Sequence, residues 1–306
     1  MIRDPEVHAP RRITPLKTPV YAPDDAGFPL TDADIAALAR AALDEDRAFE
    51  DITSIATVVT ARHARGSLVA RDGGVIAGVP LALAAFHVME PRIEIRIDVE
   101  DGQKVKPGDT ILFLSGTARG LLAAERVALN FLQRLSGIAT LTARYVEAVR
   151  GTNVSILDTR KTTPGLRELE KHAVRCGGGK SHRAHLAGAV LIKDNHIRAC
   201  DDDVAVAVQR ARQHAARGMV VQVECETVAQ VRSAIAAGAD GLLLDNMPTH
   251  ALRESVGLAK GHCWTEASGG VNLQTVRAIA ETGVDRISIG ALTHSAPALD
   301  LGLDFE

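Results

Sequence analysis

The sequence predicts an α/β protein: an open or incomplete barrel of parallel strands carrying an N-terminal α+β sandwich domain. Three observations predict it. From Val154 onward, short apolar, often β-branched runs recur about every 20 to 35 residues, separated by Ala-rich helical stretches. These runs stop in succession at a charged, hydroxyl or glycine residue: Asp158, Lys193, Glu224, Asp245, Ser268 and Gly290. Residues 66–116 instead alternate apolar and polar positions and turn at Asp-Gly and Pro-Gly pairs, which is an antiparallel pattern. Strands buried on both faces read as continuous Val/Ile/Leu runs, and strand–helix alternation makes them parallel. Barrels of this kind bind ligands at the carboxyl ends of their strands. The six terminal residues therefore mark a ring of candidate chemistry.

The elements follow in order. Residues 1–28 form a Pro-rich extension; six of the twelve prolines fall by position 29, and their fixed φ and missing donors predict an extended arm or a loosely ordered tail. TDADIAALARAALDED predicts a helix with Thr31 or Asp32 as N-cap and Ala/Leu on one face. It opens an N-terminal sandwich domain spanning 29–134. From Gly120, LLAAERVALNFLQRL predicts an amphipathic helix, interrupted by SGIAT before LTARYVEAVR resumes. The barrel domain spans 135–291, and the closing segment, about 292–306, returns to the first domain through DLGLDFE.

Composition excludes several classes. With 306 residues, 46% of them hydrophobic, the chain can bury two cores. Its four cysteines, Cys176, Cys200, Cys225 and Cys263, include no C-x-x-C pair, so neither a zinc site nor a disulfide framework is indicated. Burial as small hydrophobes is expected for them, with Cys176 the accessible one. Aromatic residues make up only 3%, which argues against stacking platforms for nucleic acid. No apolar run is long enough for a bilayer and no signal-peptide core is visible, so a cytoplasmic protein without nucleic-acid or membrane partners is expected.

Residues 158–183, DTRKTTPGLRELEKHAVRCGGGKSHR, carry the densest charge. Seven Lys or Arg, with His172 and His182, face three acids, in a chain whose net charge is −3. The excess is local, and Gly177, Gly178 and Gly179 offer bare backbone N–H groups beside it. Cations around a glycine loop describe a pocket for a small, multiply anionic molecule. A solvated helix face explains Arg167, Glu168 and Lys171 equally well, because GLRELEKHAVR has helical spacing.

LDTRKTTPGLR, CGGGKSHR, LIKDNHI, VQVECET, LLLDN, EASGGV and ISIGALTHS, preceded by ERVALNFLQRLSGIAT, occur in this order. In these motifs the chain resembles the quinolinate phosphoribosyltransferases, also called nicotinate-nucleotide pyrophosphorylases, from about Pro29 to the C-terminus. Two positions depart from the family pattern. Ser181 stands where Asn is usual, and Glu50 precedes Asp51-Ile52-Thr53 where Gly is usual.

The resemblance implies transfer of phosphoribosyl from phosphoribosyl pyrophosphate to quinolinate with decarboxylation. The products are nicotinate mononucleotide, pyrophosphate and carbon dioxide, a step of de novo NAD synthesis. It implies a dicarboxylate pocket of Arg126, Arg160, His182, Arg183 and Lys193, with Arg126 reaching across a subunit interface of a homodimer or higher assembly. Lys161 would lie near the reacting groups as a catalytic residue, and Thr159 would add a backbone or hydroxyl contact. Ser268, Gly269 and Gly270, with Ile289, Gly290 and Ala291, would cradle the 5′-phosphate through backbone N–H groups, where eight-stranded βα barrels keep their phosphate site.

The chemistry of such substrates asks for the same residue types. Arginine grips carboxylate and phosphate with two parallel hydrogen bonds, whereas lysine acts as a point charge. Glu224 and Asp245, acids on neighbouring strand ends, suit Mg²⁺ held directly or through water or substrate, the ribose hydroxyls, or both, and are candidate catalytic groups. Other readings stay open for single residues. Lys193 could pair with Asp194 at its strand end, His182 could be a satisfied core histidine, and Gly269-Gly270 could be a plain turn. Among other classes, a lyase forming a Schiff base at Lys161 or Lys193 is disfavoured by the surrounding arginines, since a free amine needs a low-charge setting. A non-catalytic relative is disfavoured by the complete set of strand-end charges, and a nicotinate-specific transferase by more cations than one carboxylate requires.

Overall fold

The computed structural model describes residues 27–306, so the Pro-rich extension lies outside the described residues except for its last two positions. Helix α1 (Asp32–Glu45) is capped by Thr31, whose hydroxyl accepts from the Asp34 amide at 3.2 Å. Helix α2 (Ile52–Thr57) is capped by Asp51, which accepts from the Thr53 and Ser54 amides. Strand β1 (His63–Ala70), β2 (Gly74–Val75), helix α3 (Val79–Met89), β3 (Glu94–Ile97), β4 (Lys104–Val105) and β5 (Thr110–Thr117) follow. β1, β3 and β5 pair antiparallel, as the alternating pattern of residues 66–116 predicts, and β2 pairs with β4.

Helix α4 (Ala118–Ala148) is continuous over 31 residues and runs through the expected domain boundary. The predicted interruption at SGIAT does not occur. Ser136 and Gly137 are there for packing rather than to stop the helix. The Ser136 hydroxyl accepts from the Ala77 amide at 3.0 Å, and a Cβ on Gly137 would lie 2.0 Å from the carbonyl oxygen of Pro297. Glycine at this position lets the C-terminal segment cross the helix in contact with its backbone.

Beyond α4 the βα units begin. They comprise β6 (Ser155–Leu157), α5 (Arg167–Cys176), β7 (Val190–Ile192), α6 (Asp194–Arg198), α7 (Val204–His214), β8 (Val221–Cys225) and α8 (Val228–Ala236). β9 (Gly241–Asp245), α9 (Thr249–Ala259), β10 (Trp264–Ser268), α10 (Val276–Ala280), β11 (Arg286–Ser288) and α11 (Ala291–His294) complete the series. The six strands form one parallel sheet in the order β6-β11-β10-β9-β8-β7. A parallel bridge between Leu157 and Lys180 extends the outer side of β6. This is the incomplete barrel that the sequence predicts. Strand β12 (Leu301–Phe305) then pairs antiparallel with β1, so the last residues close the sheet of the first domain.

Two cores hold these parts, and α4 contributes to both: Leu121, Leu129 and Leu132 to the N-terminal one, Leu135, Ile138 and Tyr145 to the barrel. Burial of such apolar side chains contributes roughly 1.5–3 kcal/mol each. Asp101 joins the domains through polar contacts. It accepts from the Gly78 and Val79 amides at the start of α3, and its carboxylate lies 2.8 Å from Nε2 of His172 on α5. Among the described residues no helix is long and apolar enough to cross a membrane.

Candidate active site

A cavity of about 720 Å³ opens at the carboxyl ends of the parallel strands. The loop after β6 supplies Thr159, Arg160 and Lys161, and the segment after α5 supplies His182 and Arg183. Lys193 follows β7, Glu224 and Asp245 end β8 and β9, Ser268, Gly269 and Gly270 follow β10, and Ile289, Gly290 and Ala291 follow β11. The strand ends singled out in the sequence thus meet around one opening. Asp158 is the exception, because it is fully buried and takes no part in the lining. Arg126 is also absent from this lining. It is largely exposed on α4, beside a separate concavity with Asp46, Glu50, Asp51 and Ile52, and its nearest acid is Glu125 at 3.9 Å.

The segment of residues 158–183 divides into two functional parts. Arg160, Lys161, His182 and Arg183 enter the cavity; Arg167, Lys171, His172 and Arg175 do not. Lys171 is not on a solvated face. It is 1% exposed, and its Nζ bonds to Asp158 Oδ1 and to the His182 carbonyl. Glu170 is likewise buried; it accepts from Arg134, the Thr163 amide and the Thr163 hydroxyl, which tethers the loop carrying Arg160 and Lys161. Arg167 donates to Thr162 Oγ1 and to the Ala184 carbonyl. The glycine triplet is also a packing feature: a Cβ on Gly177 would lie 2.3 Å from the Ala139 carbonyl oxygen, and one on Gly179 2.8 Å from Thr142. These glycines seat α5 against α4, and none of them lines the cavity.

The turn after β10 shows what glycine is needed for. Gly269 and Gly270 have φ of +87° and +63°, and a Cβ on Gly269 would lie 2.3 Å from Asn246 Oδ1. L side chains rarely adopt such angles, so this is a turn only glycine makes without strain. A Cβ on Gly290 would lie 2.9 Å from Lys161 Cδ, so the lysine stem crosses directly over that backbone.

Lys193 Nζ pairs with Glu224 Oε2 at 2.7 Å, so its partner is the acid on the next strand and not Asp194. Asp245 accepts from Asn246 Nδ2 at 2.7 Å. His182 is almost sealed. Its Nδ1 accepts from the Arg183 amide at 2.8 Å, and its Nε2 lies 3.5 Å from Glu266 Oε1. Burial pulls the His182 pKa down, with Lys171, Arg183 and Arg286 adding and Glu266 opposing. Burial pushes the thiols of Cys176, Cys225 and Cys263 up to about 12, so all three stay protonated. Cys176, expected to be accessible, is half-buried beside His172.

Sequence reasoning did not single out Asn246, Glu266 or His294, which also line the cavity. All three stood inside quoted motifs: Asn246 in LLLDN, Glu266 in EASGGV and His294 in ISIGALTHS. Glu266 carried a further signal: it lies two residues before Ser268 on the same strand, hence on the same face and one layer deeper.

The family comparison agrees with this geometry. The model described as "Quinolinate phosphoribosyl transferase, N-terminal domain" matches residues 51–136, and its C-terminal counterpart matches 138–304. The chain belongs to the quinolinate phosphoribosyltransferase family. It is 42% identical over 260 residues to the probable nicotinate-nucleotide pyrophosphorylase [carboxylating] of Bacillus subtilis, covering 85% of this chain and 89% of that one. It is 44% identical over 273 residues to the Mycobacterium leprae nicotinate-nucleotide pyrophosphorylase [carboxylating], covering 87% and 95%. The structure of the Francisella tularensis nicotinate-nucleotide pyrophosphorylase superposes with a TM-score of 0.85 at 37% identity, covering 90% of this chain and 98% of that one.

Proposed function

We infer that the chain transfers phosphoribosyl from phosphoribosyl pyrophosphate to quinolinate with loss of carbon dioxide, giving nicotinate mononucleotide and pyrophosphate. The observation that carries this reading is the meeting of Arg160, Lys161, His182, Arg183 and Lys193 with a two-glycine anion turn in one cavity. Charge-assisted hydrogen bonds contribute roughly 1.5–3 kcal/mol each. A few of them offset the mutual repulsion of a dicarboxylate and a phosphorylated sugar.

In this reading Arg160, His182, Arg183 and Lys193 hold the two carboxylates, and Thr159 adds a contact. The amides of Ser268, Gly269, Gly270, Ile289, Gly290 and Ala291 hold the 5′-phosphate. Lys161, lying over Gly290, places its charge beside the phosphorylated substrate. The ring nitrogen displaces pyrophosphate at C1 of the ribose. Once quaternised, the ring stabilises the carbanion left at C2 when carbon dioxide departs, so glycosyl transfer precedes decarboxylation.

Glu224 and Asp245 fit Mg²⁺ by donor chemistry: two carboxylates on adjacent strand ends, with room beside them for phosphate oxygens. Bound there, the ion would neutralise charge on the pyrophosphate. The two acids would also hold ribose hydroxyls.

Arg126 completes the dicarboxylate pocket from a neighbouring subunit. Support comes from Ile52, an apolar side chain 73% exposed that lines the same concavity as the exposed Arg126. The assignment makes the protein a homodimer or higher assembly with an N-terminal sandwich domain over 29–134, rejoined by 292–306, and a catalytic barrel over 135–291. A cytoplasmic location accords with four unpaired cysteines. Incubating the protein with Mg²⁺, quinolinate and phosphoribosyl pyrophosphate tests the reaction: all three products should form, and pyrophosphate without carbon dioxide would refute it.

A further inference from the structure

We propose that Glu266 is the general acid that delivers a proton to C2 of the ring when carbon dioxide leaves. This rests on the reaction proposed above and assigns a step that reading leaves open. Loss of carbon dioxide leaves an electron pair on C2, and the product carries hydrogen there, so one proton must arrive.

Glu266 is placed for this task. It is 0% exposed, yet it lines the cavity one layer below Ser268. Its two oxygens differ. Oε2 accepts from Gln222 Nε2 at 3.1 Å, whereas Oε1 is buried without a hydrogen-bond partner and lies 3.5 Å from His182 Nε2. A buried carboxyl oxygen without a partner is costly unless a proton or a ligand satisfies it.

His182 decides where the extra proton sits. Its Nδ1 already accepts from the Arg183 amide, so the ring stays neutral and carries its hydrogen on Nε2, facing Glu266. In the proposed step the transferred proton sits on Glu266 Oε1, the oxygen that no hydrogen bond occupies.

The step balances. The C2–carboxylate bond breaks, carbon dioxide departs neutral, and its bonding pair stays on C2. The Glu266 Oε1–H bond breaks and the proton joins C2. The negative charge that was on the substrate carboxylate now rests on Glu266, where the His182 Nε2–H can donate to it. Solvent reloads Glu266 after product release.

Single-turnover measurements of the full-length protein test this, following pyrophosphate and nicotinate mononucleotide separately after acid quench. Glu266→Gln keeps the size and the Gln222 contact but has no acidic proton. The expected result is pyrophosphate release within threefold of the parent, nicotinate mononucleotide formation slowed more than tenfold, and the ribosylated dicarboxylate trapped in the quench. Glu266→Asp, which retains an acid, should recover part of the second rate. Equal loss of both rates in Glu266→Gln would overturn the proposal by making the residue structural, as would product formation at the parental rate. Absence of both products from the parental protein would instead overturn the underlying reaction.

Discussion

Lys171 Nζ and Asp158 Oδ1 lie 2.5 Å apart with both side chains sealed from solvent, and together they grip the backbone of His182. Asp158 accepts from the His182 amide at 2.8 Å and Lys171 donates to the His182 carbonyl at 3.0 Å. Burial pushes the Asp158 carboxyl up to about 6 against the pull of Lys171, and it pulls the Lys171 ammonium down. The ion pair opposes both shifts, and the His182 amide opposes that of Asp158. Removing one partner of a buried pair costs about 3–5 kcal/mol. Lys171→Ala should lose that much in urea unfolding, with activity falling alongside. The double substitution Asp158→Leu with Lys171→Met should regain stability but not activity, since His182 loses its mount.

Arg160→Ala and Lys193→Ala should each lower kcat/KM for quinolinate more than tenfold, which corresponds to about 1.4 kcal/mol or more. The Lys193 side chain is about half exposed, so its substitution should leave the unfolding midpoint nearly unchanged. Near-parental kinetics in both variants would remove the dicarboxylate assignment.

Gly269→Ala places a methyl group 2.3 Å from Asn246 Oδ1 at a φ of +87°. Strain of this kind is worth about 1–3 kcal/mol. Steady-state kinetics should show KM for phosphoribosyl pyrophosphate rising over tenfold, with KM for quinolinate less affected. The reverse pattern would separate this turn from the phosphate.

His182 sets an expected pH dependence. Burial, seconded by Lys171, Arg183 and Arg286, holds its pKa below the ordinary histidine value, so between the two values the folded chain binds fewer protons than the unfolded one. Its contribution to stability is present above about pH 6.5 and is lost as pH falls toward the depressed value. Urea midpoints should therefore drop more steeply from pH 7 to pH 5 in the parental protein than in His182→Asn.

The strand ends were legible because each buried parallel strand is a short, mostly apolar run whose last residue, charged, hydroxyl or glycine, marks the mouth of the barrel. Glu224, Asp245 and Ser268 stood out for that reason. Lys171 and the glycine triplet were not legible in the same way. A charged residue at helical spacing reads as a solvated face until tertiary structure supplies a buried partner 13 positions away, as Asp158 does here. Gly137 misled for a related reason: glycine required by a crossing chain looks, in sequence, like glycine that ends a helix. Glu266 shares the face of Ser268 by strand alternation, but its place one layer inside the strand end kept it out of the set read as the mouth.

In the proposed reaction the strand-end cations clamp both carboxylates of the acceptor. The most direct measurement is kcat/KM for quinolinate against nicotinate, with phosphoribosyl pyrophosphate and Mg²⁺ held saturating. Each charge-assisted hydrogen bond that nicotinate cannot make corresponds to roughly tenfold or more. Quinolinate should therefore be preferred by about a hundredfold or more, with the preference collapsing in Arg160→Ala. Equal turnover of the two acids would contradict a dicarboxylate clamp.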